Sequence, residues 1–137
     1  MLDDVILNKA STIERCVARA LEEYHADPAT FKENFTRQDA AILNVQRACQ
    51  AALDLGQHII RQHKLGIPQS ARDVFVLLCN GQWISQSLAD SLKKMVGFRN
   101  IAVHDYQSLQ LPVLIDILDN HIQEFLEYTQ AILQHAK

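Results

Sequence analysis

The segment from Arg99 to Tyr106 holds the side chains best suited to chemistry on a phosphate. It reads RNIAVHDY and carries four polar candidates, Arg99, Asn100, His104 and Tyr106. An arginine binds a phosphate through a charged, forked set of donors. A histidine can both accept and donate a proton near neutral pH. Cleavage of RNA without a metal requires little more, because the 2′-hydroxyl of the RNA can act as the nucleophile.

The spacing between Arg99 and His104 limits how one helix can present them. They are five residues apart, which separates two side chains by about 140° around an ideal helix. An unbroken helix would therefore direct them to different sides. A bend or a helix end within residues 97–106, favoured by Gly97 and by Pro112 downstream, would bring them closer. Alternatively, two copies of the chain could face each other and contribute residues to one cleft.

Each of these side chains also has an ordinary structural explanation. Many helices contain an arginine and a histidine at this spacing by chance, and His104 alone is typical of a helix end, bonded to the backbone or to Asp105. Tyr106 alone would be interpreted as a packing residue with a bonded hydroxyl. Lys93 and Lys94 either extend a phosphate-binding strip or lie on an exposed helix face.

Apolar residues recur at steps of three and four along the whole chain, which predicts helices throughout. The stripe of the first predicted helix is Leu2, Val5, Ile6, Ile13, Val17, Ala20, Leu21 and Tyr24. The stripe of the last is Ile115, Leu118, Ile122, Phe125, Leu126 and Leu133. No convincing run alternates with period two. The sequence therefore predicts an all-α, up-and-down four-helix bundle with an additional short helix, formed by a single domain over residues 1–137.

Side chains suited to capping mark the predicted helix starts. Thr36 and Asp39 have the spacing of a capping pair that opens the second helix. Ser70 and Asp73 repeat that spacing before a short apolar segment. Pro112 fits the first turn of the last helix.

Composition excludes several classes of protein. The formal net charge of −3 excludes a protein that coats nucleic acid through bulk positive charge, although a small focused site stays possible. The three cysteines, Cys16, Cys49 and Cys79, lie among apolar residues and are predicted to be reduced and buried, which indicates the cytoplasm. The acidic start of the chain lacks the layout of a signal peptide, and no stretch has the apolar length that spans a bilayer.

The other residues with chemical potential are better explained by structure. His58 and His63, with Arg61 between them, are predicted to form a solvated, mildly basic surface, because their spacing does not align two metal ligands. Trp83 is predicted to anchor a helix junction rather than to stack on a base. The chain has no phosphate-binding glycine loop and no metal-binding motif, so we expect neither a cofactor nor a metal.

The segment Gly97-Phe98-Arg99-Asn100 followed by His104-Asp105-Tyr106 resembles the signature of HEPN domains. These are small helical bundles in which an R-x4-H motif marks metal-independent ribonucleases. The H-x-Y ending is similar to the HepT branch, which consists of toxins of bacterial toxin–antitoxin pairs. The partner in such pairs is an MntA-type minimal nucleotidyltransferase.

The resemblance implies a role for each residue of the motif. Arg99 and His104 would form the nuclease centre, and Asn100 would orient the substrate or the histidine. Tyr106 would be the hydroxyl that the antitoxin adenylylates to silence the toxin. The resemblance further implies an endoribonuclease of a type VII-like toxin–antitoxin system, with RNA as substrate, an MntA-like nucleotidyltransferase antitoxin as partner and no membrane. The spacing argument and the family together favour a homodimer.

Two other functions remain open from the residues alone. A non-catalytic, nucleotide-binding accessory subunit of a nucleotidyltransferase would use Arg99 to hold a phosphate but would not need His104. A plain helical scaffold would need neither side chain. The histidine therefore discriminates between catalysis and binding, because only proton transfer requires it.

Overall fold

The computed structural model describes residues 3–136, which contain helices and no strands. The α-helices are α1 (Asp4–His25), α2 (Phe35–His63), α3 (Ala71–Asn80), α4 (Gln86–His104), α5 (Leu111–Asp116) and α6 (Gln123–Ala136). Short 3-10 turns cover Phe31–Glu33 and Tyr106–Ser108, and a π-helical turn over Ile117–His121 joins α5 to α6. Leu2, the first residue of the predicted stripe, lies outside the described residues.

Helix α2 is the centre of the bundle. It packs against α1, α3, α4 and α6. Its end lies beside the start of α1, since the side chains of Gln62 and His58 both contact Asp3, so α1 and α2 are antiparallel. The long helices α1, α2, α4 and the α5–α6 unit form the bundle, and α3 is the additional short helix. The predicted fold class is confirmed.

The helix starts correct one prediction and confirm others. Helix α2 begins at Phe35, because the Asn34 side chain accepts a hydrogen bond from the Arg37 amide at 3.0 Å. The predicted capping pair of Thr36 and Asp39 is therefore wrong, since both residues already lie inside the helix. Ser70 caps α3 as predicted, and Pro112 occupies the first turn of α5.

His58 is not part of a solvated surface, which corrects the interpretation of this region. Its Nε2 lies 2.8 Å from Asp3 Oδ2, and the side chain is only 17% exposed. The bond to His58, helped by the Ile6 amide, lowers the pKa of Asp3 to about 2. The sequence could not reveal this pair, because its members lie 55 residues apart. His63 and Arg61 are exposed as predicted.

Trp83 anchors a helix junction, as predicted. It is buried, and its ring stacks on His135 of α6 with ring centroids 3.8 Å apart. His63 at the end of α2 contacts it from another side, at 4.9 Å. The residue thus ties α2 and α6 to the turn between α3 and α4.

The cysteines are free thiols, but only two of the three are buried. Cys16 and Cys49 lie in the core, and burial raises the pKa of Cys49 to about 12. Cys79 is only partly buried, because it lies near the end of α3, where its Sγ is 3.6 Å from Gln86 Oε1. The prediction that all three are buried is therefore wrong for Cys79. None of the helices between residues 3 and 136 combines the length and apolarity that a bilayer-spanning segment needs.

The tightest approach to α2 is at Gly56. A Cβ atom there would lie 2.5 Å from Val74 Cγ1 of α3 and 3.0 Å from the hydroxyl oxygen of Tyr128 of α6. That hydroxyl is fully buried and donates to the Ala52 carbonyl at 2.8 Å. The absence of a side chain at Gly56 therefore lets three helices meet.

Gly56→Ala should destabilise the fold by about 1–3 kcal/mol, because the new methyl group overpacks the core and outweighs the better helix propensity of alanine. Gly97→Ala is the matched control. Its Cβ would meet only the flexible end of Arg72, at 3.1 Å, so propensity should dominate and stabilise the fold by up to about 1 kcal/mol. Thermal unfolding of the two variants would measure both effects. Equal melting temperatures would contradict this account of the packing at Gly56.

Candidate functional site

Helix α4 carries the first three residues of the motif and ends immediately after them. It continues through Gly97 without interruption and ends at His104, because Asp105 leaves the helical conformation with φ −149° and ψ 55°. The Asp105 amide still donates to the Ile101 carbonyl, at 2.9 Å. Of the two local arrangements that the sequence suggested, the helix end is present, and Arg99 and His104 both lie on the unbroken helix that precedes it.

Arg99 leans from α4 toward α2. The side chain is partly buried, and its Nε is buried with no hydrogen-bond partner within residues 3–136. The guanidinium is close enough to Cys49 of α2 to oppose the effect of burial on the pKa of that thiol. No carboxylate in the described part of the chain forms an ion pair with Arg99, so its charge is available to an external anion.

His104 and Asn100 lie one helical turn apart, on the same side of α4. His104 is exposed and is the last residue of the helix, whereas Asn100 is partly buried. An exposed imidazole at a helix end can reach a ligand from solvent. The predicted orienting role of Asn100 is compatible with this placement and stays a prediction.

Arg99 and His104 are not brought together by a local bend. On the continuous helix, Arg99 and His104 leave the axis at about 140° to each other, one toward α2 and the other into solvent. Lys93, which could have extended a phosphate-binding strip, forms an ion pair with Asp90 at 3.3 Å. Lys94 remains exposed.

Tyr106 lies in the 3-10 turn that follows α4, and its hydroxyl donates a hydrogen bond to Asp39 Oδ1 of α2. The residue is 44% exposed. Partial desolvation and the bond to Asp39 raise the pKa of Tyr106 to about 12. Ser108 Oγ donates to Asp105 Oδ2 at 2.7 Å, which closes the same turn. The phenol is thus accessible, and its oxygen is held in place.

Asp39 is the residue at this site that sequence reasoning missed. The sequence pattern predicts that Asp39 is the partner of Thr36 in a capping pair, whereas it lies inside α2 and contacts a tyrosine 67 residues later in the chain. No local signal could have identified it, because such a contact depends on how α2 and the turn after α4 are packed.

Exposed apolar side chains surround the motif. Ile101, Val103 and Val113 are 41%, 46% and 48% exposed. Ile101 and Val113 also line a groove of about 510 Å³ between α4 and the segment that follows it, together with Phe98 and Leu109. Exposed apolar patches of this kind commonly mark interaction surfaces. Among residues 3–136, no three His, Cys, Asp or Glu side chains are grouped as around a metal ion.

A family model described as "Ribonuclease HepT-like" matches residues 13–132. The chain belongs to the HepT-like ribonuclease family. Among curated proteins, this HepT-like chain is 48% identical to the mRNA nuclease HepT of Shewanella oneidensis strain MR-1. That similarity extends over 131 residues, which are 96% of this chain and 98% of the relative. The resemblance to the HepT branch is thereby confirmed.

Solved structures of HepT-like toxins have the same fold. The toxin in a toxin–antitoxin complex with AMP-PNP matches this chain with a TM-score of 0.92 and 48% identity, covering 96% of this chain and 99% of that one. A tri-AMPylated HEPN toxin of S. oneidensis in complex with an MNT antitoxin matches with a TM-score of 0.91 and 47% identity, covering 97% of this chain and 99% of that one.

Proposed function

We propose that this HepT-like protein is the toxin of a type VII-like bacterial toxin–antitoxin pair and cleaves RNA at Arg99 and His104 without a metal. The observation that carries the proposal is that an arginine without an ion pair in the described chain and an exposed histidine lie in the last two turns of one helix, in a protein 48% identical to an mRNA nuclease. We place the reaction in the cytoplasm, where RNA is available and free thiols remain reduced.

The two side chains have separate tasks in this mechanism. Neutral His104 takes the proton of a 2′-hydroxyl as general base, or protonates the departing 5′-oxygen as general acid. The 2′-oxygen forms a bond to phosphorus while the bond from phosphorus to the 5′-oxygen breaks. Arg99 holds the phosphate and stabilises the charge that accumulates on it.

His104→Ala and Arg99→Ala should each reduce the rate of RNA cleavage by at least about 100-fold, because each removes one component of the chemical step. The rate is measured on labelled mRNA with purified protein. His63→Ala and Arg61→Ala are matched controls, since both residues are exposed near the opposite end of α2 from Asp39. A His104→Ala protein that cleaves at the wild-type rate would refute the mechanism. Wild-type protein that binds nucleotide without cleaving RNA would instead favour the accessory subunit.

We further propose that the active form is a homodimer in which two copies of the motif face one cleft. The support is geometric, because α4 alone directs Arg99 and His104 to different sides. Exposed Ile101 and Val113 beside the motif provide an apolar contact surface for a second copy. In a dimer, the two histidines could divide the acid and base roles between them.

Ile101→Glu should convert the protein to a monomer and reduce RNA cleavage in parallel, because it places a charge on the proposed contact surface. Sedimentation and the cleavage assay would measure the two effects. Leu7→Glu on α1 is the matched control, since Leu7 is also an exposed apolar residue, at 49%. Wild-type protein that remains monomeric at high concentration while cleaving RNA would rule out the dimer.

We propose that a nucleotidyltransferase antitoxin of the MntA type neutralises the toxin by adenylylating Tyr106. The support is the exposure of this phenol, two residues after His104, and the relative that is described as tri-AMPylated. An added AMP places bulk and negative charge beside the position of the RNA phosphate. The modified toxin would therefore exclude its own substrate.

Co-expression with an MntA-type antitoxin should add one or more AMP units to the wild-type protein but none to Tyr106→Phe. Intact-protein mass spectrometry measures this directly. Tyr24→Phe is the control, because Tyr24 is partly buried and packs edge-on against Phe31, with ring centroids 4.9 Å apart. If a toxin that carries no AMP is fully neutralised, the adenylylation proposal is wrong and steric inhibition by the antitoxin is the remaining explanation.

A further inference from the structure

The hydrogen bond between Tyr106 and Asp39 joins two parts of the chain that the proposed chemistry does not otherwise connect. Asp39 lies on α2, the central helix, and is exposed. Its Oδ1 accepts the proton of the Tyr106 hydroxyl. The phenol that would be adenylylated therefore already has a carboxylate in contact with the atom that must lose a proton.

We propose that Asp39 is a catalytic residue of the modification reaction, the acceptor of the Tyr106 proton when the hydroxyl attacks a nucleoside triphosphate. This inference rests on the proposed adenylylation of Tyr106. The new element is that the toxin itself supplies the proton acceptor as well as the target hydroxyl.

The reaction balances with adenosine triphosphate as co-reactant. The Tyr106 oxygen forms a bond to the α-phosphorus, and the bond from that phosphorus to the oxygen bridging to the β-phosphate breaks. Pyrophosphate leaves with the electron pair of the broken bond. The phenolic proton passes to Asp39 Oδ1, along the hydrogen bond that is already present.

An acceptor is needed because the phenol stays protonated in the resting toxin. Its pKa is raised to about 12 by partial desolvation and by Asp39, so very little phenolate exists at neutral pH. Proton removal during the attack therefore accelerates the transfer. The direction of the bond also matters, because an O–H that points at α2 leaves the lone pairs of the oxygen free for the incoming phosphorus.

The position of Asp39 favours this role over a purely structural one. A bond between two exposed side chains contributes little to stability, and the turn after α4 is already closed by Ser108 and Asp105. Asp39 also makes no capping bond at the start of α2, where Asn34 is the cap. The contact with the Tyr106 hydroxyl is thus the main interaction of this carboxylate.

The test is the rate of the first AMP addition to purified toxin, measured by mass spectrometry at saturating MntA-type antitoxin and ATP. Asp39→Asn should slow this step by about 100-fold or more, while the affinity for the antitoxin changes by less than about threefold. Asp39→Glu, which restores a carboxylate, should recover a substantial part of the rate. Asp54→Asn is the matched control, with the same loss of charge on the same helix, beside Lys9, and should react at the wild-type rate.

The outcomes separate this inference from the function on which it rests. An Asp39→Asn toxin that is modified as fast as wild type, or faster, overturns the role of Asp39 while Tyr106 remains the modified residue. Equal losses in Asp39→Asn and Asp39→Glu also overturn it, because a general acceptor tolerates the longer carboxylate. A Tyr106→Phe toxin that still gains AMP overturns both proposals together.

Discussion

The placement of Arg99 and His104 on one unbroken helix is the constraint on which the site depends. Five residues of α-helix turn the second side chain away from the first by about 140°, and α4 has no break between them. One direction leads toward α2, where the arginine is partly buried, and the other leads into solvent. A single chain therefore presents the proposed anion-binding group and the proposed proton-transfer group on different faces, and the proposed homodimer would combine them.

Helix α2 contacts two of the proposed site residues, Arg99 and Tyr106. Arg99 lies near Cys49, and Tyr106 bonds to Asp39, which is nearly three turns before Cys49 on the same helix. The helix is held on its other sides by α1, α3 and α6. The close approach of three helices at Gly56 leaves little freedom for its position. The proposed site residues thus contact a helix that is packed against four others.

The fold and the motif were predictable from the sequence because both depend on local patterns. Apolar periodicity marks each long helix. The serine cap of α3 and the position of Pro112 in the first turn of α5 depend only on residues close to them in the sequence. Two of the residues that were misjudged from the sequence have partners that are distant along the chain. His58 binds Asp3 across 55 residues, and Asp39 binds Tyr106 across 67. Asn34 and Thr36 both carry short polar side chains that suit a helix start, so the sequence does not show which of them caps α2.

The contact between the Tyr106 phenol and α2 would be lost in the proposed adenylylated form of the protein. An aryl phosphodiester has no hydroxyl proton, so an adenylylated Tyr106 cannot donate to Asp39, and the two groups become neighbouring anions. Like charges at such short range repel. Adenylylation would therefore replace the hydrogen bond between the turn after α4 and α2 with a repulsion, a local change that a binding partner could distinguish.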